Sequence, residues 1–255
     1  MTTFTFVGCS FTTGEGLEFE KDDPGNYTNL VAAHFNTQSN NLALRGNTNY
    51  NIFITALNQL LYSTADKLFV QWTSLNRLWL YPGPDTTISL SHTIVDDYKY
   101  RDLFFSKKDL QKVTDIYHLL NHDYHNLLEL INYSKILESV AKEKTQLVFI
   151  NGLVPWTKEI NDMSTVTDYS TKLSKYSKEI LEFDGRDDQE LDKFFIELNY
   201  KINRLQHNQW VNIFESLSEL QVDVGNDNQH PGPSSHKLYA TNIINYLNNH
   251  NDKRL

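Results

Sequence analysis

Short apolar runs alternate along the chain with longer stretches in which apolar residues recur every three or four positions. Thr3–Val7 (TFTFV) is β-rich and stops at Gly8, as a buried strand ending at a turn would. Pro24-Gly25 marks a loop, and residues 26–35 (NYTNLVAAHF) then carry helical spacing. Residues 41–44 (NLAL) form a second short run that stops at Arg45-Gly46, followed by an amphipathic pattern over residues 50–62 (YNIFITALNQLLY). Lys67–Trp72 (KLFVQW) reads as a third strand and residues 145–150 (TQLVFI) as a fourth, with a mostly helical pattern over residues 103–144 between them. Strands separated by helices call for a parallel sheet covered on both faces, an α/β fold.

Residues 156–209 are polar and rich in lysine and tyrosine, with helical stretches near residues 169–183 and 189–206. They read as an inserted helical hairpin or lid rather than a second domain, so residues 1–255 form one domain. A short run at residues 210–214 leads into the loop DVGNDNQHPGPSSH and a final helix over about residues 234–248. No internal repeat is present.

Composition narrows the function classes. An apolar fraction of 40% with 14 Phe, 14 Tyr and 4 Trp is enough for a folded interior. A formal charge of −9 argues against nucleic acid or an anionic membrane as partner. The single cysteine, Cys9, excludes an internal disulfide and a multi-cysteine zinc site. With no basic and apolar leader at the N-terminus and no apolar run of transmembrane length, the expected location is cytoplasmic.

In parallel α/β sheets, ligands gather at the carboxyl ends of strands. Four segments fall there: Gly8-Cys9-Ser10, residues 45–49 (RGNTN), residues 72–77 (WTSLNR) and residues 227–231 (DNQHP). A serine becomes a nucleophile when a base takes its proton and donors stabilise the oxyanion that forms. Asp227 and His230, three residues apart in a turn, supply a base and a carboxylate that can orient it. The backbone N–H groups of Ser10 and Gly46 are candidate oxyanion donors.

These blocks resemble those of the SGNH (GDSL-like) hydrolases. Gly8-Cys9-Ser10-Phe11 is similar to the family's Gly-Asp-Ser-Leu motif, with Cys9 and Phe11 in place of Asp and Leu. Residues 41–49 (NLALRGNTN) match its Asn-Leu-x-x-x-Gly-x-Ser/Thr-Asn block, and residues 227–231 resemble its Asp-x-x-His-Pro block. The resemblance implies a three-layer α/β/α, flavodoxin-like fold with a parallel sheet, here with a helical insertion. It further implies a triad of Ser10, His230 and Asp227 that hydrolyses acyl esters or thioesters with neither metal nor cofactor. The family's third block, Gly-x-Asn-Asp, is altered: Ser74 stands where its oxyanion asparagine would, and Asn76 follows two residues later. Ser74 or Asn76, with Asn49, are the candidates for the missing donor, whose loss typically costs about a hundred- to thousand-fold in rate. The expected substrate is a small-molecule or glycan ester, with an acetylated carbohydrate preferred over lipid because the insertion is polar.

Other readings compete. The altered third block suits a catalytically silent module of the same fold that binds a glycan or protein partner. A nucleotide-binding role is weaker, because GCSFTTGEG lacks phosphate-loop spacing. His118, His122 and His125 fall on one helical face with zinc-like spacing, but without the accompanying glutamate. Residues 184–190 (DGRDDQE) lack the spacing of a calcium loop. Trp72, Trp79, Tyr81 and Trp156 fit the core better than a cleft wall, His236 fits packing or capping, and Cys9 is a small buried residue behind the serine.

Overall fold

Lys67–Trp72 organises the molecule. In this strand, β3, Leu68, Val70 and Trp72 point to one face and Phe69 and Gln71 to the other, all essentially inaccessible to solvent. A strand buried on both faces lies at the centre of a covered sheet. The computed structural model describes residues 2–63, 65–75, 77–83, 86–90, 123–141, 145–153, 209–211 and 216–250.

Besides β3, the described elements are β1 (Thr3–Val7), α1 (Ser10–Thr13), α2 (Tyr27–His34), β2 (Gln38–Asn41), α3 (Asn49–Tyr62), β4 (Leu78–Gly83), β5 (Thr86–Leu90), α4 (Asp123–Ala141), β6 (Gln146–Asn151) and α5 (Pro233–His250). The main sheet has the order β2-β1-β3-β6 with every pair parallel, and Phe149 of β6 makes a further parallel bridge to Trp210. This is the flavodoxin-like strand order. One face packs Val7, Leu68, Val70, Trp72, Leu147 and Phe149 against α3 and α4 through Ile52, Ala56, Leu130 and Ile131. The opposite face packs Phe4, Phe6, Phe69, Val148 and Ile150 against α2 and α5 through Tyr27, Val31, Tyr239 and Ile243. Helices on both faces of a parallel sheet make three layers, as the alternation of patterns implies.

Local chemistry sets the element ends. Asn26 caps α2 by accepting from the Thr28 N–H, and Thr48 caps α3 by accepting from the Asn51 N–H. Pro233 opens α5, where its lack of an N–H costs nothing. Asp223 reaches across to that terminus and accepts from the N–H groups of Ser234 and Ser235, both at 2.8 Å. Burial works against the Asp223 carboxylate, but these bonds and the Ser235 hydroxyl outweigh it and hold its pKa at about 2.

Two expectations are corrected. The second strand is Gln38–Asn41 (QSNN), upstream of the apolar residues 42–44, which instead cross the rim with Leu42 and Leu44 donating to Phe6 and Gly8. Pairing with the exposed side of β1 tolerates polar residues at a sheet edge, and that outweighed local hydrophobicity. The hairpin of β4 and β5, antiparallel and separate from the main sheet, lies in a stretch for which no strands were expected. The expected insertion lies outside the described residues except for Gln209. His118 and His122, the side chains of His125, Trp79 and Tyr81, Trp156 and residues 184–190 also lie outside them. Trp72 is fully buried and stacks on Phe149 with ring centroids 5.9 Å apart, so it belongs to the core. Among the described residues, no helix is long and apolar enough to cross a membrane.

Candidate active site

β1 delivers Ser10 to the carboxyl rim of the sheet. Gly8 is required there, since a Cβ would stand 2.6 Å from Gln71 Oε1. Cys9, extended and fully buried, precedes the single turn of α1, and its carbonyl accepts from the N–H groups of Thr12 and Thr13. The turn is held from below by Gln71, whose Oε1 accepts from the Cys9 N–H at 3.0 Å and from the Thr12 hydroxyl at 2.8 Å. With its proton directed to Gln71, Thr12 Oγ1 accepts from the Tyr27 hydroxyl at 2.7 Å, and burial keeps that phenol protonated by raising its pKa. Asn41 and Asn26 donate to the carbonyls of Thr12 and Thr13. Ser10 is only 2% exposed, and neither its Oγ nor its N–H makes a hydrogen bond among the described residues.

The loop of residues 44–49 is fastened to the same strand end. Gly8 O accepts from the Leu44 N–H at 3.2 Å and from Asn47 Nδ2 at 3.0 Å. Gly46 sits in the left-handed region at φ 63°, a conformation that favours glycine, and its N–H has no acceptor among the described residues. Asn49 is occupied at both ends of its amide. Its Oδ1 accepts from the Thr73 N–H at 2.8 Å, and its Nδ2 donates to the carbonyls of Thr73 and Ser74, each at 3.3 Å. It therefore ties the start of α3 to the exit of β3. Ser74 is brought to this rim through that contact, and Asn76 lies outside the described residues.

The third part comes from the far end of the chain. Gly225 lies so close to Gly16 that a Cβ on it would overlap the Gly16 backbone, and Asn226 N–H donates to Gly16 O at 2.7 Å. This backbone contact seats the loop bearing Asp227 and His230 on the turn that follows Ser10. Asp227 Oδ1 accepts from the N–H groups of Gln229 and His230, both at 3.0 Å, and Oδ2 lies 2.6 Å from His230 Nδ1. Burial disfavours the charged carboxylate, yet these bonds and the imidazole lower its pKa to about 2. Asp227 is therefore ionised, and Nδ1 carries the proton between them.

The other imidazole nitrogen does not meet Ser10 in this structure. His230 Nε2 faces Glu15 Oε2 at 3.5 Å, and the Phe11 ring stands roughly perpendicular to the imidazole with ring centroids 6.3 Å apart. Glu15 also faces Arg45 at 3.6 Å, and Arg45 pairs with Glu20. Glu15, Asp227 and His230 are the only three metal-ligating side chains among the described residues whose ligand atoms gather within 4.8 Å. Their carboxylates are already engaged with imidazole, backbone N–H and guanidinium.

His236 stands apart from this chemistry. It is fully buried, stacks on Tyr27 and accepts from the Tyr27 N–H through Nδ1 at 3.2 Å. Burial lowers its pKa to about 4, against smaller opposing fields from Asp223 and Asp23. Sequence reasoning missed Gln71 and Glu15. Gln71 had a signal, being the one amide inside an apolar strand. Glu15 had only the two glycines that flank it, both at positive φ.

No protein-family model matches the chain, and no curated protein matches it. Among solved structures it is similar to the lipase/acylhydrolase from Enterococcus faecalis, with 12% identity over 98% of this chain and 96% of that one and a TM-score of 0.45. It is also similar to a member of the lipolytic protein G-D-S-L family from Veillonella parvula, with 12% identity over 96% and 97% of the two chains and a TM-score of 0.43. A third is an acetyl xylan esterase from Butyrivibrio proteoclasticus, with 13% identity over 97% of this chain and 64% of that one and a TM-score of 0.45.

Proposed function

We propose that the chain is a serine hydrolase of SGNH type that cleaves an acyl ester, with an acetylated carbohydrate as the preferred substrate class. The single observation that carries this reading is the Asp227–His230 pair, 2.6 Å apart and seated on the turn that bears an unengaged Ser10. The motif blocks around Ser10, Gly46 and His230 support it independently.

In this reading Ser10 Oγ attacks the acyl carbon while His230 Nε2 takes its proton. Asp227 fixes the tautomer and stabilises the imidazolium that results. The carbonyl oxygen becomes an oxyanion held by the N–H groups of Ser10 and Gly46, with Ser74 or Asn76 supplying the third donor and Asn49 holding that loop in place. His230 then protonates the leaving alcohol, a water attacks the acyl-serine with His230 as base, and release of the carboxylic acid restores Ser10. The proton count closes over the cycle.

The test is covalent labelling with a fluorophosphonate probe together with hydrolysis of p-nitrophenyl acetate and of acetylated sugars. Ser10→Ala is expected to abolish labelling and to lower turnover by roughly a thousandfold or more. Equal turnover in the variant would refute the assignment. The altered third block and the placement of His230 Nε2 against Glu15 favour a second reading, a silent module binding a glycan or protein partner. That reading is adopted if the wild type neither labels nor hydrolyses any of these esters.

A further inference from the structure

Glu15 has no part in the catalytic scheme, yet it occupies the position that the scheme requires Ser10 to hold. The His230 ring is bracketed by two carboxylates, with Asp227 on Nδ1 at 2.6 Å and Glu15 on Nε2 at 3.5 Å. Asp227 is immobilised by two backbone N–H groups and ionised, so the Nδ1 proton is committed to it. A neutral ring then has only a lone pair at Nε2, and a lone pair facing a carboxylate oxygen repels it. The contact becomes attractive when one more proton is present between Nε2 and Glu15. At 3.5 Å it is a charge contact that exists only while Nε2 carries a proton, and while it holds, Nε2 has no lone pair for Ser10.

Both sides of this contact are anchored through backbone. The Glu15 N–H donates to Ser10 O at 3.1 Å between the left-handed Gly14 and Gly16, and the histidine loop is hydrogen-bonded to Gly16 O. Glu15 also has somewhere to go. Its other oxygen, Oε1, lies 3.6 Å from Nη1 of Arg45, whose side chain is 56% exposed and whose guanidinium is shared with Glu20. On losing the imidazole, Glu15 keeps a cationic partner. Among the described residues, the charged groups that face the ring or its partners are Asp227 from its own loop, Glu15 from the turn after α1, then Arg45 and Glu20 behind Glu15.

We propose that Glu15 is a positioning residue that holds His230 away from Ser10 in a protonated resting state, and that Arg45 receives Glu15 when the proton leaves. This rests on the reading of Ser10 and His230 as nucleophile and base. Release transfers the Nε2 proton to water, after which the free lone pair accepts the Ser10 proton.

The experiment compares the rate of fluorophosphonate labelling of Ser10 between pH 5.5 and 8.5 in the wild type, Glu15→Gln and Arg45→Gln, with far-UV circular dichroism and thermal melts confirming the fold. Near pH 6, Glu15→Gln is expected to label about tenfold faster than the wild type, the two converging above pH 8. Arg45→Gln, which leaves Glu15 only the imidazole, is expected to label more slowly than the wild type near pH 6. Identical pH dependence in Glu15→Gln and the wild type, or slower labelling of Glu15→Gln throughout, overturns the inference. If no form labels at any pH, the nucleophile assignment fails instead. NMR titration of the His230 ring then decides Glu15 alone: the second ring proton is expected to persist to higher pH in the wild type than in Glu15→Gln, and coincident titrations overturn it.

Discussion

His236 makes acid stability a direct probe of how the α2/α5 layer is built. In the folded chain its ring is sealed between Tyr27 and Tyr239, with Nδ1 accepting from the Tyr27 N–H and no partner for Nε2 among the described residues. Burial brings its pKa from 6.5 down to about 4. The unfolded chain therefore takes up a proton first as pH falls. The stability attached to the neutral ring is fully present above pH 6.5 and is lost progressively down to pH 4. With those two values the loss from this group is about 2 kcal/mol at pH 5 and about 3 kcal/mol at pH 4. Urea denaturation at pH 7 and pH 5 measures it in the wild type and in His236→Asn, whose Oδ1 stands where Nδ1 does and can still accept from Tyr27. The variant is expected to lose about 2 kcal/mol less than the wild type between the two pH values. An unchanged pH dependence would show that the ring is not buried neutral, and the reasoning would fail.

Two further outcomes follow from hydrogen bonds at the rim. Asp223→Ala removes the acceptor for the first N–H groups of α5 and is expected to cost about 1–2 kcal/mol, a fall of roughly 2–8 °C in Tm read by calorimetry. Gln71→Leu keeps the volume but strands the Cys9 N–H and the Thr12 hydroxyl. It is expected to destabilise by about 1–3 kcal/mol per group and to slow fluorophosphonate labelling in the fraction that remains folded. Labelling at the wild-type rate would mean that Gln71 does not position the turn.

The elements with strong periodic signals are legible in the sequence. KLFVQW is a strand from Lys67 to Trp72 as read, because burial on both faces leaves a continuous apolar run. α3 differs from the reading by one residue, since its cap, Thr48, and its amphipathic stripe agree. β2 was misplaced because its position follows from the free edge of β1, a tertiary fact that QSNN does not advertise. Asp227 and His230 were readable as a pair because a turn of three residues brings them together locally. Glu15 was not, because its significance comes from a loop more than two hundred residues away. Asn49 was read as a donor to substrate, whereas its amide is taken up by the backbone of Thr73 and Ser74.

The seating of Gly225 on Gly16 also has a bearing on time. Ser10 and His230 are separated by 220 residues of chain, and at ordinary synthesis speeds of about 5–20 residues per second the second follows the first by roughly 10–45 s. Through that interval the serine turn stands without the loop that carries His230. Under the triad proposed above, a polypeptide interrupted anywhere between the two would carry only an ordinary alcohol at Ser10, and covalent labelling of Ser10 would require translation through at least His230.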